Sequence, residues 1–237
     1  MLRVAYCTDV GKKRTNNQDA LLVSLDLNLF AVADGMGGHL AGEVASQTTV
    51  DLLEKYFLNL SDTLPQIWVE ESIKEANKRV YLKSLEEESY RGMGTTCSMV
   101  YFKDDMLHIG HVGDSRIYFI DEDIKQVSRD HTLVDNLLKA GEITKAEADN
   151  HPKRHVITRA IGTDATVDVD YDKYDYKGLN KILICSDGLS EMVKDQEILS
   201  IVNTHDIESA VTELVKQAND NGGTDNISVI LIALNEY

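Results

Sequence analysis

Cysteine is scarce in this 237-residue chain: Cys7, Cys97 and Cys185 are the only three. An odd, sparse set argues against a disulfide framework, and each lies in an apolar stretch where it reads as a small core residue. There is no C-x-x-C pair to suggest a zinc site. Basic residues are outnumbered, 24 against 40 acidic, for a net charge of −16, which argues against a nucleic-acid or anionic-membrane binder. No apolar run approaches the ~20 residues of a membrane span, and the opening M-L-R-V-A-Y-C-T-D carries no signal-peptide core. The expectation is a reduced, cytoplasmic protein. The chain also lacks internal repeats, a low-complexity linker, and the G-x-G-x-x-G and Walker sequences of nucleotide-binding sheets.

What is present suits one domain over residues 1–237, with 43% hydrophobic content and length enough for a large core. Apolar runs predict strands at 2–8, 20–25, 29–33, 97–102, 106–112, 116–121, 125–127, 167–171, 181–186 and 227–234. Helical periodicity predicts helices at 42–57, 65–87, 132–140, 144–150, 195–202 and 206–219. Hairpin-linked strands flanked by separate helix pairs favour antiparallel sheets with helices packed outside, an α+β arrangement. Residues 130–162 contain few large apolar side chains, so this section is expected to be a mobile excursion from the core.

The chain is organised around F-A-V-A-D-G-M-G-G-H at residues 30–39, where an apolar strand ends in Asp34 and three glycines follow. The carboxylate can face a hard cation, and the glycines free backbone carbonyls to approach the same ion. An ordinary strand-to-helix turn explains this stretch alone equally well. Four further aspartates have the same setting: Asp19, Asp114, Asp187 and Asp225 each lie at the edge of an apolar strand. Carboxylates converging at one end of a sheet assembly repel unless cations sit between them. Oxygen donors without a partner cysteine favour Mg²⁺ or Mn²⁺ over zinc. Two such ions about 3.5–4 Å apart would make a water nucleophilic and clamp a phosphoryl oxygen.

R-T-N-N-Q-D, D-G-M-G-G-H-x-A-G-E, G-T-T, V-G-D-S-R, S-D-G-L and G-G-T-D-N-I occur in that order. Together they resemble the metal-dependent protein phosphatases of type 2C, in their compact bacterial serine/threonine form, over essentially the whole chain. The resemblance implies a four-layer α/β/β/α sandwich with two central antiparallel sheets flanked by helix pairs, and a flap at about 130–162. It implies that Asp34 bridges two metals with help from the Gly35 carbonyl. Asp187 and Asp225 would hold the first metal, Asp19 would support the waters of the pair, and Asp114 with Asp187 would form a looser third site. Arg14 would bind the substrate phosphate, since a guanidinium fork matches phosphate geometry.

Two positions depart from the family pattern. Gln18 stands where N-E-D is usual, and Met36 follows the D-G pair where many eukaryotic members carry a candidate general-acid histidine. His39, three residues on, could approach the phosphate or simply hydrogen-bond backbone. His151, Lys153, Arg154 and His155 could meet an acidic phosphopeptide, although a charged loop is more often only solvated. Glu191 reads better as a helix-start residue than as a third-site ligand. Asn226 would orient local loops or a phosphate-side water.

The implied function is a Mg²⁺- or Mn²⁺-dependent protein serine/threonine phosphatase in which a metal-bridging hydroxide attacks phosphorus in line. No C-x₅-R sequence supports a covalent cysteine route. Phosphorylated proteins would be the substrates, a membrane-anchored bacterial serine/threonine kinase the counterpart, and a monomer the expected state. The alternatives are a phosphoesterase for small phosphate esters and a catalytically dead phosphoprotein-binding scaffold.

Overall fold

Most strands of this chain are apolar on both faces, so each sheet they form must be covered twice. The computed structural model describes residues 2–38, 40–59 and 64–234. In chain order the strands are β1 (Arg3–Asp9), β2 (Asp19–Ser24), β3 (Leu29–Met36), β4 (Gly94–Thr95), β5 (Cys97–Lys103), β6 (Met106–Val112), β7 (Arg116–Ile120), β8 (Ile124–Gln126), β9 (Asp170–Asp175), β10 (Lys181–Cys185) and β11 (Ile227–Ala233). The helices are α1 (Ala41–Leu58), α2 (Pro65–Ser84), α3 (Leu133–Lys139), α4 (Lys145–Asp149), α5 (Asp187–Ser190), α6 (Asp195–Thr204) and α7 (Ile207–Asp220). One sheet has the order β1-β11-β10-β7-β8; the other runs β2-β3-β5-β6-β9, with β4 added to β3. Their ladders are antiparallel.

Phe30, Val100, Ile109, Ile184 and Ile230 fill the space between the two sheets. The outer face of the β2-containing sheet packs on α1 and α2 through Leu53, Val69 and Ile73. The outer face of the other sheet packs on α6 and α7 through Ile198, Val211 and Leu214. The result is the expected α/β/β/α order of layers.

The strand expected at 167–171 is displaced to β9. Val167 and Val169 pack against the core without joining the ladder. The polar D-Y-D-K-Y-D sequence pairs with β6 at the sheet edge, where one side of the backbone meets solvent and charge is tolerated. Helix α2 stops at Ser84, short of 87, and the acidic run gives way to a 3₁₀ turn at Glu88–Tyr90. Strand β4 and the short helix α5 had no periodicity to announce them. Within 130–162 the two helices form as expected, with Thr132 and Thr144 as N-caps. The return of this section is nevertheless core. Ile161 is fully buried and bridges Thr95, and the Gly162 amide donates to Asn77 Oδ1 at 2.8 Å.

Strands β1 and β10 end and β11 begins at one end of their sheet, and β3 and β6 end and β2 begins at one end of the other. Hydrogen bonds from Ser186 Oγ to Asp19 Oδ2 and from Gln18 N to Asn226 Oδ1 join these two ends. All five aspartates therefore meet at one rim. Ile230→Ala, at the centre of the inter-sheet layer, is expected to cost roughly 2–5 kcal/mol, whereas Leu82→Ala on the exposed side of α2 should stay within about 0.5 kcal/mol. Denaturant midpoints with unchanged slopes would check both.

Candidate active site

Asp19 opens β2 directly across from Asp34 near the end of β3. Asp114 lies in the turn after β6, Asp187 is the first residue of α5, and Asp225 precedes β11. Two glycines make this convergence possible. A Cβ on Gly35 would sit 2.1 Å from the Gly42 carbonyl oxygen, so only glycine lets the end of β3 touch the first turn of α1. A Cβ on Gly188 would sit 1.9 Å from the Asn226 carbonyl oxygen, so α5 seats directly on the residue that follows Asp225.

Short polar side chains then brace the acidic backbone. Asp34 N donates to Thr96 Oγ1, and Asp34 O accepts from Thr95 Oγ1 and Thr96 N, each at 2.9 Å. Ser186 Oγ donates to Asp19 Oδ2 at 2.8 Å. Asn226 Oδ1 accepts from Gln18 N at 2.8 Å, while Asn226 Nδ2 donates to the carbonyls of Val10 and Asn16 at 3.0 Å. Of its two expected roles, Asn226 is seen in the first: it ties three stretches of chain together.

Burial is the main cause that pushes the carboxyls upward, and mutual repulsion adds to it. Asp34 is held well above the usual carboxylate range by desolvation and then by Asp19, Asp187, Asp114 and Asp225. Asp187 is held well above it by desolvation, Asp114, Glu191 and Asp225. Asp114 is pushed up to about 7 and Asp19 to about 6, desolvation leading in both. Three carboxyl oxygens, Asp19 Oδ1, Asp114 Oδ1 and Asp187 Oδ1, are buried without a hydrogen-bond partner. An unmet buried acceptor is costly, and hard cations take oxygen donors of this kind. Among the described residues no three His, Cys, Asp or Glu side chains already share one ligand point. The fit to a cation therefore rests on donor type and unmet bonding rather than on a preformed cage.

A cleft of about 590 Å³ opens over the carboxylates, lined among others by Arg14, Gln18, Met36, His155, Glu191 and Asp225. Arg14 Nη2 pairs with Asp225 Oδ2 at 2.6 Å, a contact the sequence did not suggest. From the section 130–162, His155 and Ile157 reach the cleft wall, whereas His151, Lys153 and Arg154 do not line it. His155 Nδ1 meets Glu191 Oε1, a contact between that section and the rim. Glu191 follows the last residue of α5, its amide donating to Asp187 O at 2.8 Å, so it closes a helix rather than starting one. The short helix was invisible to periodicity, which accounts for the difference. His39 lies outside the described residues. Thr95, Thr96 and Ser186 were missed as bracing residues, although G-T-T and S-D-G-L contain them.

The raised carboxyls make the metal-free protein sensitive to pH. A carboxyl whose folded value lies above the unfolded 3.8 contributes stability that is complete below that value and lost as pH rises through the folded value. With Asp114 up at about 7, the melting temperature of Asp114→Asn minus that of the wild type, in chelator, should be smallest below about pH 4. It should grow more positive towards about pH 8. A difference independent of pH would contradict this placement of Asp114.

The family model for protein phosphatase 2C matches residues 10–231. Protein phosphatase PhpP of Streptococcus pneumoniae is 38% identical over 99% of this chain and 98% of its own. The solved serine/threonine phosphatase Stp1 of Staphylococcus aureus superposes with a TM-score of 0.93 at 36% identity, over 100% of this chain and 96% of its own. The catalytic domain of the serine/threonine protein phosphatase PstP, solved in complex with two manganese ions, gives 0.86 at 30% identity, with 99% of each chain covered. Sequence match, fold and clustered aspartates agree, and the chain belongs to the protein phosphatase 2C family.

Proposed function

We propose that this phosphatase hydrolyses phosphoserine and phosphothreonine in proteins at the aspartate cluster, with Mg²⁺ or Mn²⁺ as the cation. The observation that carries the reading is the set of buried carboxyl oxygens without partners, beneath a cleft that also presents an arginine. The manganese-bound PstP relative supports the choice of cation. Asp34, the Gly35 carbonyl, Asp187 and Asp225 would hold two ions, with Asp19 supporting their waters; Asp114 with Asp187 would hold a weaker third. When bound, the ions supply an activated water and neutralise charge on the phosphoryl oxygens.

The chain's own groups do the rest. Arg14, half-exposed beside Asp225, keeps donors free to fork onto a phosphate. Gln18, buried at the cleft wall, brings an amide where the family usually has a carboxylate, lowering the negative charge without removing an acceptor oxygen. A seryl or threonyl alkoxide needs a proton to leave, and His155 is the imidazole that the described cleft wall presents. The same reading gives the protein a serine/threonine kinase as its opposing partner and a monomeric, cytoplasmic existence. No helix among the described residues is long and apolar enough to cross a membrane.

A phosphothreonine peptide and a small phosphate ester, offered with Mn²⁺ and with chelator, test this. Peptide hydrolysis by the wild type should require the cation and exceed ester hydrolysis in kcat/KM. Asp34→Asn should lose at least about 100-fold, the scale of removing one essential electrostatic group. Equal turnover by the variant, or turnover undiminished in chelator, would refute the assignment.

A further inference from the structure

The turn that delivers Asp114 is clamped by a residue outside the cluster. Gly113, immediately before Asp114, has φ +110°, and a Cβ there would meet the Thr96 side chain at 2.5 Å. Its amide donates to His131 Nδ1 at 3.0 Å, and its carbonyl accepts from His131 N at 2.7 Å. A backbone amide can only donate, so Nδ1 is the unprotonated nitrogen and Nε2 carries the hydrogen. Nε2 then donates to Asp170 Oδ2 at 3.0 Å; Arg159 Nη1 lies 3.1 Å from the same protonated nitrogen and donates to Asp170 Oδ1 instead. The His131 carbonyl accepts from Thr158 N at 2.7 Å. His131 is buried and so links three things: the Asp114 turn, the edge strand β9, and the return of section 130–162. Asp130, its neighbour, is bound through both carboxyl oxygens by Arg116 at the other side of the same turn.

We propose that His131 is a positioning residue for the Asp114 side of the cation site, acting through the bond from the Gly113 amide to Nδ1. The proposal rests on the reading of Asp114 as a cation ligand. Without that bond the Gly113 amide is left unpaired in a buried turn, and the turn must shift to satisfy it, carrying Asp114 with it. A group that orients a metal ligand in this way is typically worth roughly 10–100-fold in affinity. The Nε2 end, by contrast, serves the attachment of section 130–162 and so the cleft wall.

The two ends of the imidazole can be separated. His131→Asn keeps an acceptor at the position of Nδ1 and loses the reach to Asp170. His131→Gln keeps a donor at the position of Nε2 and loses the acceptor for Gly113. Mn²⁺ titrations followed by calorimetry, on full-length chains shown folded by circular dichroism, should resolve them. His131→Gln should weaken the weakest class of Mn²⁺ sites by roughly 10–100-fold and lower kcat on a phosphopeptide. His131→Asn should leave that class within about threefold of wild type, with any loss appearing in KM. Asp170→Asn, which keeps the imidazole and the Gly113 bond, should behave like His131→Asn and covers the case in which the glutamine variant does not fold. Asp114→Asn serves as the reference for the site itself. If Asp114→Asn weakens Mn²⁺ and His131→Gln does not, or if Asp170→Asn weakens it as much as His131→Gln, the positioning role is overturned while the cation site stands. If Asp114→Asn leaves the isotherm unchanged, the cation reading fails and the proposal fails with it.

Discussion

Carboxylates buried side by side resist ionisation, and the working rim of this protein is built on that resistance. Water would solvate each aspartate at little cost; the sandwich instead draws five of them to one end, where Asp114 is buried and the other four are partly so. Desolvation and repulsion lift Asp34 and Asp187 well above the ordinary carboxylate range, and three carboxyl oxygens find no donor. A rim of this kind is stable only with a positive charge or protons in it. The fold tolerates the strain because the layers behind it are almost wholly apolar, from Phe30 and Ile230 between the sheets to Leu53 and Leu214 beneath the helices.

Around Asp19 and Asp34, rigidity comes from short side chains and close backbone contacts. Thr95 and Thr96 pin the Asp34 peptide, Ser186 pins Asp19, and Asn226 joins the stretches around Val10, Asn16 and Gln18. Thr96 Oγ1 also lies 2.7 Å from Ser115 Oγ, so the Asp34 strand and the Asp114 turn share one hydroxyl pair. Placement of one aspartate is thereby coupled to placement of the next, which is the condition for holding cations at fixed separation.

Much of this was legible in the sequence because five aspartates share one setting at the edge of an apolar strand; a single run ended by Asp and Gly reads equally well as an ordinary turn. The antiparallel sheets with helices outside followed from the hairpin-linked apolar runs, and the meeting of Asp19, Asp34, Asp114, Asp187 and Asp225 from their shared place at strand edges; the four-layer order came with the family resemblance. Strand β9 was misplaced because edge pairing with β6 does not require apolar side chains. The Arg14–Asp225 pair and the His155–Glu191 contact join residues 211 and 36 positions apart in the chain, separations at which no local spacing rule operates. Glu191 was assigned to the wrong end of a helix because α5, at four residues, is too short to show a period. The grip of His131 on Gly113 depends on a positive φ and on packing against Thr96, neither of which leaves a mark in composition.

Burial and crowding favour protons on this rim until cations replace them. Calorimetric titration of the metal-free protein with Mn²⁺ at about pH 6.5, in two buffers of different ionisation enthalpy, measures the protons exchanged on binding. Net release of protons is predicted, because Asp114 near 7 and Asp34 and Asp187 well above the usual range must give theirs up. Binding enthalpies independent of the buffer would mean that the carboxyls are already ionised, and would contradict it.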